Sequence, residues 1–356
     1  IYDIGGPHPY AGPAPGPGVD LSGADLRGAA LQEADLSNAI LDGAQFQAAN
    51  VGDARLDGAL ANFTNFERVR AVGAEVTDLD LSTAILDLGR FYELVGSPLV
   101  LPVGIEAILM SSGATALVGQ TLDLEDADLS GGLDLSGYDL SFSNFEGADL
   151  RDANLSGADL NSSVLDYADL ERADLSGADL RSADLFSATL TDAMLAGSDL
   201  TYARLRYAQI SGADFSGADL TLAWLVDLAV DAGAEVGLSA IDTLVQTGGT
   251  YAIAGPQIDL AYVDFSGLDL TNLNFQGVSF WRANLDRADF GGADLRNASS
   301  LPTYGTGLTS APFYSSATQF AGFDPVFSGW WLTTASSVPA LGPFGCGVAV
   351  LLLAAT

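Results

Sequence analysis

The residues best placed to do chemistry are carboxylates. Aspartate recurs at Asp139, Asp159, Asp179, Asp199 and Asp219, always twenty positions apart. Brought into register, such a series suits two chemistries: oxygen ligation of a hard divalent cation, or a paired acid and base of the glycosidase kind. The second needs two carboxyls in unlike environments, and a uniform series sets none apart. The calcium-binding nonapeptide pattern and the EF-hand loop are both absent. The sequence holds one histidine, His8, inside the Gly/Pro-rich leader "GGPHPYAGPAPGPG", and one cysteine, Cys346. Ser–His or Cys–His catalysis would have to run through that loop histidine, and neither an intramolecular disulfide nor a Cys/His metal cluster can be built. The reading is a non-enzyme with no catalytic residue and no cofactor-binding residue. Its one metal candidate is a divalent cation on the five aspartates.

Composition narrows the partners. Forty-six acids against 13 bases leave a formal charge of −33 over 356 residues. Such a chain repels nucleic acid and anionic membrane, which excludes a phosphate-binding role, and attracts cations or a basic protein. The 48% of apolar residues supply an ample core.

What must position the aspartates is the element beneath them. In "VDLSGADLRGAALQEADLSNA" Leu returns at Leu21, Leu26, Leu31 and Leu36, every fifth residue. An amphipathic helix repeats at 3.6 and a half-buried strand at 2, so five belongs to neither. Block one keeps this register from Leu21 to Leu86, block two from Leu135 to Leu225 after a one-residue slip at Gly131-Gly132, and block three from Leu260 to Leu295. The position two before each centre is small, as in Ala24, Ala29, Ala34 and Ala39.

Units such as "ADLSG", "ADLRD" and "ANLSG" resemble the pentapeptide-repeat family. The resemblance covers well over half of the chain. It implies an all-β fold, a right-handed quadrilateral parallel β-helix with irregular insertions and a non-repeat C-terminal region. Each pentapeptide makes one wall and four make a coil. The centre and the small residue point inward and the other three outward. Leu26, Leu36, Leu155, Leu175, Leu195, Leu270 and Leu285 are then core. Coils near 4.8 Å apart accumulate stability from their neighbours.

Each block opens on Gly-x-x-apolar-Asp-Leu: "GPGVDL", "GQTLDL" and "GPQIDL". The division is a Gly/Pro-rich arm (1–18), block one (19–88), an apolar insertion (89–118), block two (119–230), a second insertion (231–254) with a helix-like stretch near 238–246, block three (255–298) and a C-terminal region (299–356). The insertions carry too many Val, Ile and Leu for solvated linkers, so they read as irregular coils or protruding loops on one continuous β-helix.

With four walls to a coil, the five aspartates form one vertical column. Gly137, Gly157, Gly177, Gly197 and Gly217 form a flat column on an adjacent wall. The aspartates either hold counterions or only cap the corner backbone with their side chains.

Both ends of a solenoid are open sheet edges. The sequence flanks them with a Gly/Pro arm and an apolar tail. The tail, "SSVPALGPFGCGVAVLLLAAT", resembles bacterial C-terminal sorting signals without their basic cluster, and its apolar run is too short to span a bilayer. The start at Ile1 fits removal of an export signal. The expectation is an exported structural protein at the surface of a bacterium or outside it, touching membrane only transiently through that tail. Its partner is itself, stacked head to tail into a filament or surface layer through Tyr2, Ile4, Tyr10, Trp330, Trp331, Val348, Val350, Leu351, Leu352 and Leu353. The alternatives are a surface-tethered monomeric β-helix and an acidic DNA mimic acting on a topoisomerase, as some pentapeptide-repeat proteins do.

Overall fold

The computed structural model describes residues 2–3, 6–7, 15–98, 100–229, 238, 243–247, 250–254, 257–301, 312–314, 318–321 and 331–332. Its repeating piece is a β-turn. The Leu21 carbonyl accepts the Ala24 N–H at 2.9 Å, and the same bond recurs at each wall, as in Leu155 to Ala158 at 3.1 Å. The third residue of each turn has positive φ: +65° at Gly157, +58° at Arg172, +57° at Asp192. That is the requirement of a type II turn, and it explains why glycine is common there.

Between turns each wall keeps one residue for pairing. That residue, immediately before the centre, bridges in parallel to its counterpart twenty positions on, as in Asp134 to Asn154 and Asn154 to Asp174. Four walls of five therefore close one coil. The centres fill the axis: Leu26, Leu36, Leu155, Leu175, Leu195, Leu270 and Leu285 are all 0% exposed. Alanines two before the centres, such as Ala153, Ala173 and Ala193, are buried beside them, and where Ser or Thr replaces alanine its hydroxyl donates to a main-chain carbonyl, as Ser198 does to Leu195 at 2.7 Å. Phenylalanine takes over the axis in block three, where Phe275 and Phe290 lie 5.5 Å apart. Each such side chain contributes roughly 1.5–3 kcal/mol on burial.

At the N-terminal end, β1 (Tyr2–Asp3) pairs antiparallel with β2 (Gly6–Pro7) and with β3 (Ala29–Ala30) of the first coil. The first insertion projects a hairpin of β4 (Ile105–Leu109) and β5 (Thr115–Gly119). Around it the coil is continuous: Leu88 donates to the Thr121 carbonyl at 2.7 Å, and Asp123 to that of Gly89 at 3.2 Å. The extra residue at Gly131-Gly132 is absorbed at a corner where both have φ near +80° (+83° and +80°). The second insertion contains another hairpin, β6 (Thr243–Thr247) and β7 (Thr250–Ala254). This corrects the helix-like stretch expected at 238–246: its second half is strand, in keeping with the β-branched Thr243, Val245 and Thr247. Asp259 then donates to the Ala223 carbonyl at 3.1 Å, which seats block three on block two.

At the C-terminal end the chain returns over its own last coil. β8 (Asp294–Arg296) pairs parallel with β10 (Gln319–Ala321), and β9 (Phe313–Tyr314) with β11 (Trp331–Leu332). The Thr318 hydroxyl donates to the Phe290 carbonyl at 2.7 Å. Among the described residues there is no α-helix, and none long and apolar enough to cross a membrane.

Candidate functional site: the outer columns

Asp139, Asp159, Asp179, Asp199 and Asp219 bridge one to the next, forming a single column. Each carboxylate accepts the main-chain N–H two residues on: Ser141 at 3.2 Å, Asn161 at 2.9 Å, Arg181 at 3.1 Å, Thr201 at 2.9 Å and Thr221 at 3.0 Å. These are Asx turns, and they occupy lone pairs that a cation would need. Arg181 pairs with Asp179 and lies 3.8 Å from Asp199. Among the described residues no three His, Cys, Asp or Glu gather as a metal site.

The same turn recurs on the other walls and fixes charge there. Ser136 donates through hydroxyl and backbone to Asp134 and holds its carboxyl below the usual range. The Ser216 N–H does so for Asp214, and the Arg151 guanidinium for Asp149. Asp134, Asp149 and Asp214 therefore keep their negative charge to below the usual carboxylate range.

Gly137, Gly157, Gly177, Gly197 and Gly217 occupy the corner two residues ahead of the aspartates, with φ from +65° to +70°. A Cβ at Gly157 or Gly177 would meet nothing within 4 Å. Backbone conformation, not crowding, selects glycine at these two.

Of the residues expected to carry assembly, Tyr2 lies in β1 and Trp331 in β11. Ile4, Tyr10, Trp330, Val348, Val350, Leu351, Leu352 and Leu353 lie outside the described residues, as does the sorting-like tail.

One further column was not read from the sequence. It follows the wall whose centres include Leu165, Leu185, Leu205, Leu225, Leu260 and Phe280. At that corner the Tyr167 and Phe186 rings meet edge to face at 5.6 Å, and Phe186 and Tyr207 at 5.4 Å. The Arg206 guanidinium lies 4.6 Å from the Tyr207 centroid and 5.5 Å from Trp224, with its ion pair to Asp227 at 2.8 Å. Beyond the second insertion Tyr262 meets Trp281 at 5.0 Å, and Arg282 stacks on Trp281 at 4.9 Å. Tyr167 is 58% exposed and Trp281 49%. Burial and the neighbouring Asp184 push the Asp166 carboxyl up to about 6, while Asp184 pairs with Arg204 at 2.7 Å. Followed toward the N-terminus, the same corner carries Glu146, Asp126, Glu125, Glu93, Asp53 and Glu33. Backbone bonds Glu33 to Gly52, Asp126 to Glu146 and Tyr167 to Phe186 (each 2.9 Å) mark this stacking. Twenty-residue stacking applied to this corner was the signal; the interruption between Asp227 and Tyr262 hid it.

Among solved structures the chain is similar to HetL, a pentapeptide repeat protein involved in heterocyst differentiation regulation from the cyanobacterium Nostoc sp. strain PCC 7120. The two are 25% identical over 77% of this chain and 87% of that one, with a TM-score of 0.26. QnrB1, a plasmid-mediated fluoroquinolone resistance protein, is 17% identical over 57% of this chain and 90% of its own, with a TM-score of 0.25. A pentapeptide repeat protein of the Arabidopsis thaliana thylakoid lumen is 33% identical over 35% of this chain and 83% of its own, with a TM-score of 0.23. No curated protein matches the chain.

These findings correct two expectations, the head-to-tail extracellular filament subunit and the extracellular or cell-surface location. The similar proteins are described as involved in heterocyst differentiation regulation and as a plasmid-mediated fluoroquinolone resistance protein. The physical reason lies at the ends: β1 lines the first coil and β10 the last, so edges expected to pair with a neighbouring copy pair within the chain. The family of Pentapeptide repeats matches in eight copies, over 20–58, 122–161, 143–181, 153–192, 183–221 and 260–299. Together those spans take in half of the chain. With its five-residue wall, its twenty-residue coil and this match, the chain belongs to the pentapeptide-repeat family.

Proposed function

We propose that this chain is a non-enzymatic interaction protein, an acidic rod that occupies a basic, nucleic-acid-binding surface of another protein, with a topoisomerase as its target class. The observation that carries the reading is the Asp139 column with the carboxylates of the neighbouring walls, repeated at coil spacing and held in place by Asx turns and arginines. Carboxylates in register about 4.8 Å apart form a line of fixed negative charge, which competes with a phosphate backbone for one basic groove. QnrB1 is described as a fluoroquinolone resistance protein, and family members of the DNA-mimic kind occupy topoisomerases. Nucleic acid itself is not a partner on this reading, since −33 repels it, and no cofactor is needed. The seven-segment division of the chain is proposed on the same footing, with the three blocks as rod and the insertions as projections.

The test is a DNA gyrase supercoiling assay with the full chain, run across a salt series. Inhibition that weakens as salt rises and is relieved by added duplex DNA is the expected result. Unchanged supercoiling, with no gyrase retained on the immobilised chain at low salt, would sink the topoisomerase reading.

A further inference from the structure

The aromatic corner has a composition the coil does not need. Tyr167, Phe186, Tyr207, Tyr262 and Trp281 occupy outward turn positions, so the axis is filled without them. Tyr, Trp and Arg are the residues that dominate binding energy at protein interfaces. Here they share one corner, with rings at contact distance and guanidiniums stacked upon them. Among the described residues Arg282 has no carboxylate within 4.0 Å, so its partner on this corner is the aromatic platform. Toward the N-terminus the same corner becomes acidic at Glu146, Asp126, Glu125 and Glu93. One line along the rod thus passes from carboxylates to rings.

We infer that this corner is a docking ridge for an extended protein segment whose basic residues lie along the acidic coils and whose apolar residues cover the rings. The inference rests on the reading of the chain as an interaction protein and adds the chemistry of the partner. Charge complementarity fixes the order: basic stretch on Glu93 to Glu146, apolar stretch on Tyr167 to Trp281. Dimension fixes the length. Nine coils separate the levels of Glu93 and Trp281, counted inclusively along the corner. At about 4.8 Å per coil that is roughly 38 Å, which an extended chain rising about 3.3 Å per residue covers in roughly twelve residues. Nucleic acid does not fit, because its phosphates would meet the carboxylates.

The full chain is titrated with two synthetic peptides of that length. One has a run of Arg followed by alternating Leu and Ser; the other has every Leu replaced by Ser. Peptide anisotropy gives affinity and tryptophan emission reports the ridge. The Leu peptide is expected to bind at least about tenfold tighter, the scale of a hot-spot contact. Tyr167→Ser combined with Trp281→Ser removes that preference with the far-ultraviolet sheet signal unchanged, and Tyr167→Phe retains it. Glu93→Gln with Glu146→Gln weakens both peptides alike and lowers the salt dependence. Equal affinity of the two peptides, or an undiminished preference in the ring variants, overturns the ridge but leaves the acidic rod standing. Binding by neither peptide at low salt overturns the ridge together with the electrostatic basis of the rod. A negative gyrase assay alone removes only the topoisomerase.

Discussion

At the scale of single residues, the outward aspartates serve first as turn formers. Asp159 accepts the Asn161 N–H at 2.9 Å, so Asp159→Ala is expected to cost about 0.5–1.5 kcal/mol, the net worth of one hydrogen bond. Asp159→Asn keeps the acceptor, removes a charge from the column, and should equal or exceed the parent in low salt. Urea titrations of the three proteins check both. Asp166 behaves in the opposite sense to the paired aspartates. Its folded value, raised to about 6 by burial and by Asp184, lies above the ordinary 3.8. Its contribution to stability is therefore complete below about pH 4 and is lost as pH rises through about 6. Asp166→Asn should match the parent near pH 4 and become the more stable by pH 7. The gap is on the order of 1 kcal/mol once its partial exposure is discounted for solvent screening. A melting-temperature difference that does not change between pH 4 and 7 would contradict this. For Asp149, pulled down by Arg151, stability is instead lost as pH falls below the usual carboxylate range.

At the scale of elements, the five-residue period made the walls legible. A bulky residue at Leu155, Leu160, Leu165 and Leu170 with a small one two places before it leaves little freedom once four walls close a coil. Leu175→Ala in the middle of block two is expected to cost about 2–5 kcal/mol, and Leu175→Asp to unfold the surrounding coils, because each coil is stable only against its neighbours. Leu26→Ala, near the end, should instead fray locally, which hydrogen exchange resolves. The insertions were harder to read. A run such as "IDTLVQTGGT" has no five-residue centre, and its apolar residues sit at spacings a helix or a strand can use. In the sequence, the Gly248-Gly249 pair between the two β-branched runs was the signal for a hairpin. The acidic column was legible from twenty-residue stacking; the aromatic corner was not, since its rings alternate between two turn positions and straddle an interruption.

At the scale of the whole molecule, charge is the dominant unbalanced term. All 13 basic residues are arginine and none is lysine, and most arginines already bridge two carboxylates or stack on rings, as Arg55 and Arg206 do. Repulsion along the columns is left to mobile ions. The melting temperature should rise steadily with sodium chloride from about 10 mM toward 1 M, as the Debye length shrinks from about 30 Å to 3 Å. Calcium at matched ionic strength should add nothing, because a turn amide engages one oxygen of each column carboxylate and, among the described residues, no three carboxylates gather around a common point. A sharp saturable gain at micromolar calcium would instead support a divalent cation on the column. Both ends of the rod pair with the chain's own strands, so sedimentation is expected to give a species whose size does not grow with concentration.

The extra residue at Gly131-Gly132 points to a kind of reading frame in three dimensions. Since side chains face inward by counting in fives, a chain length change that is not a multiple of five would turn every later centre outward unless a corner swallows it, as those two glycines do. Removing residues 155–174 keeps both the count of five and the order of the faces. It should give a rod one storey shorter, about 4.8 Å, with the aromatic corner still in line with the acidic one. Removing 155–164 keeps the count of five but turns the remainder by half a circuit, so that rings and carboxylates end on opposite sides. The gene can thus lengthen or shorten the molecule by whole storeys without relearning how to fold, while a change of face takes only half a storey.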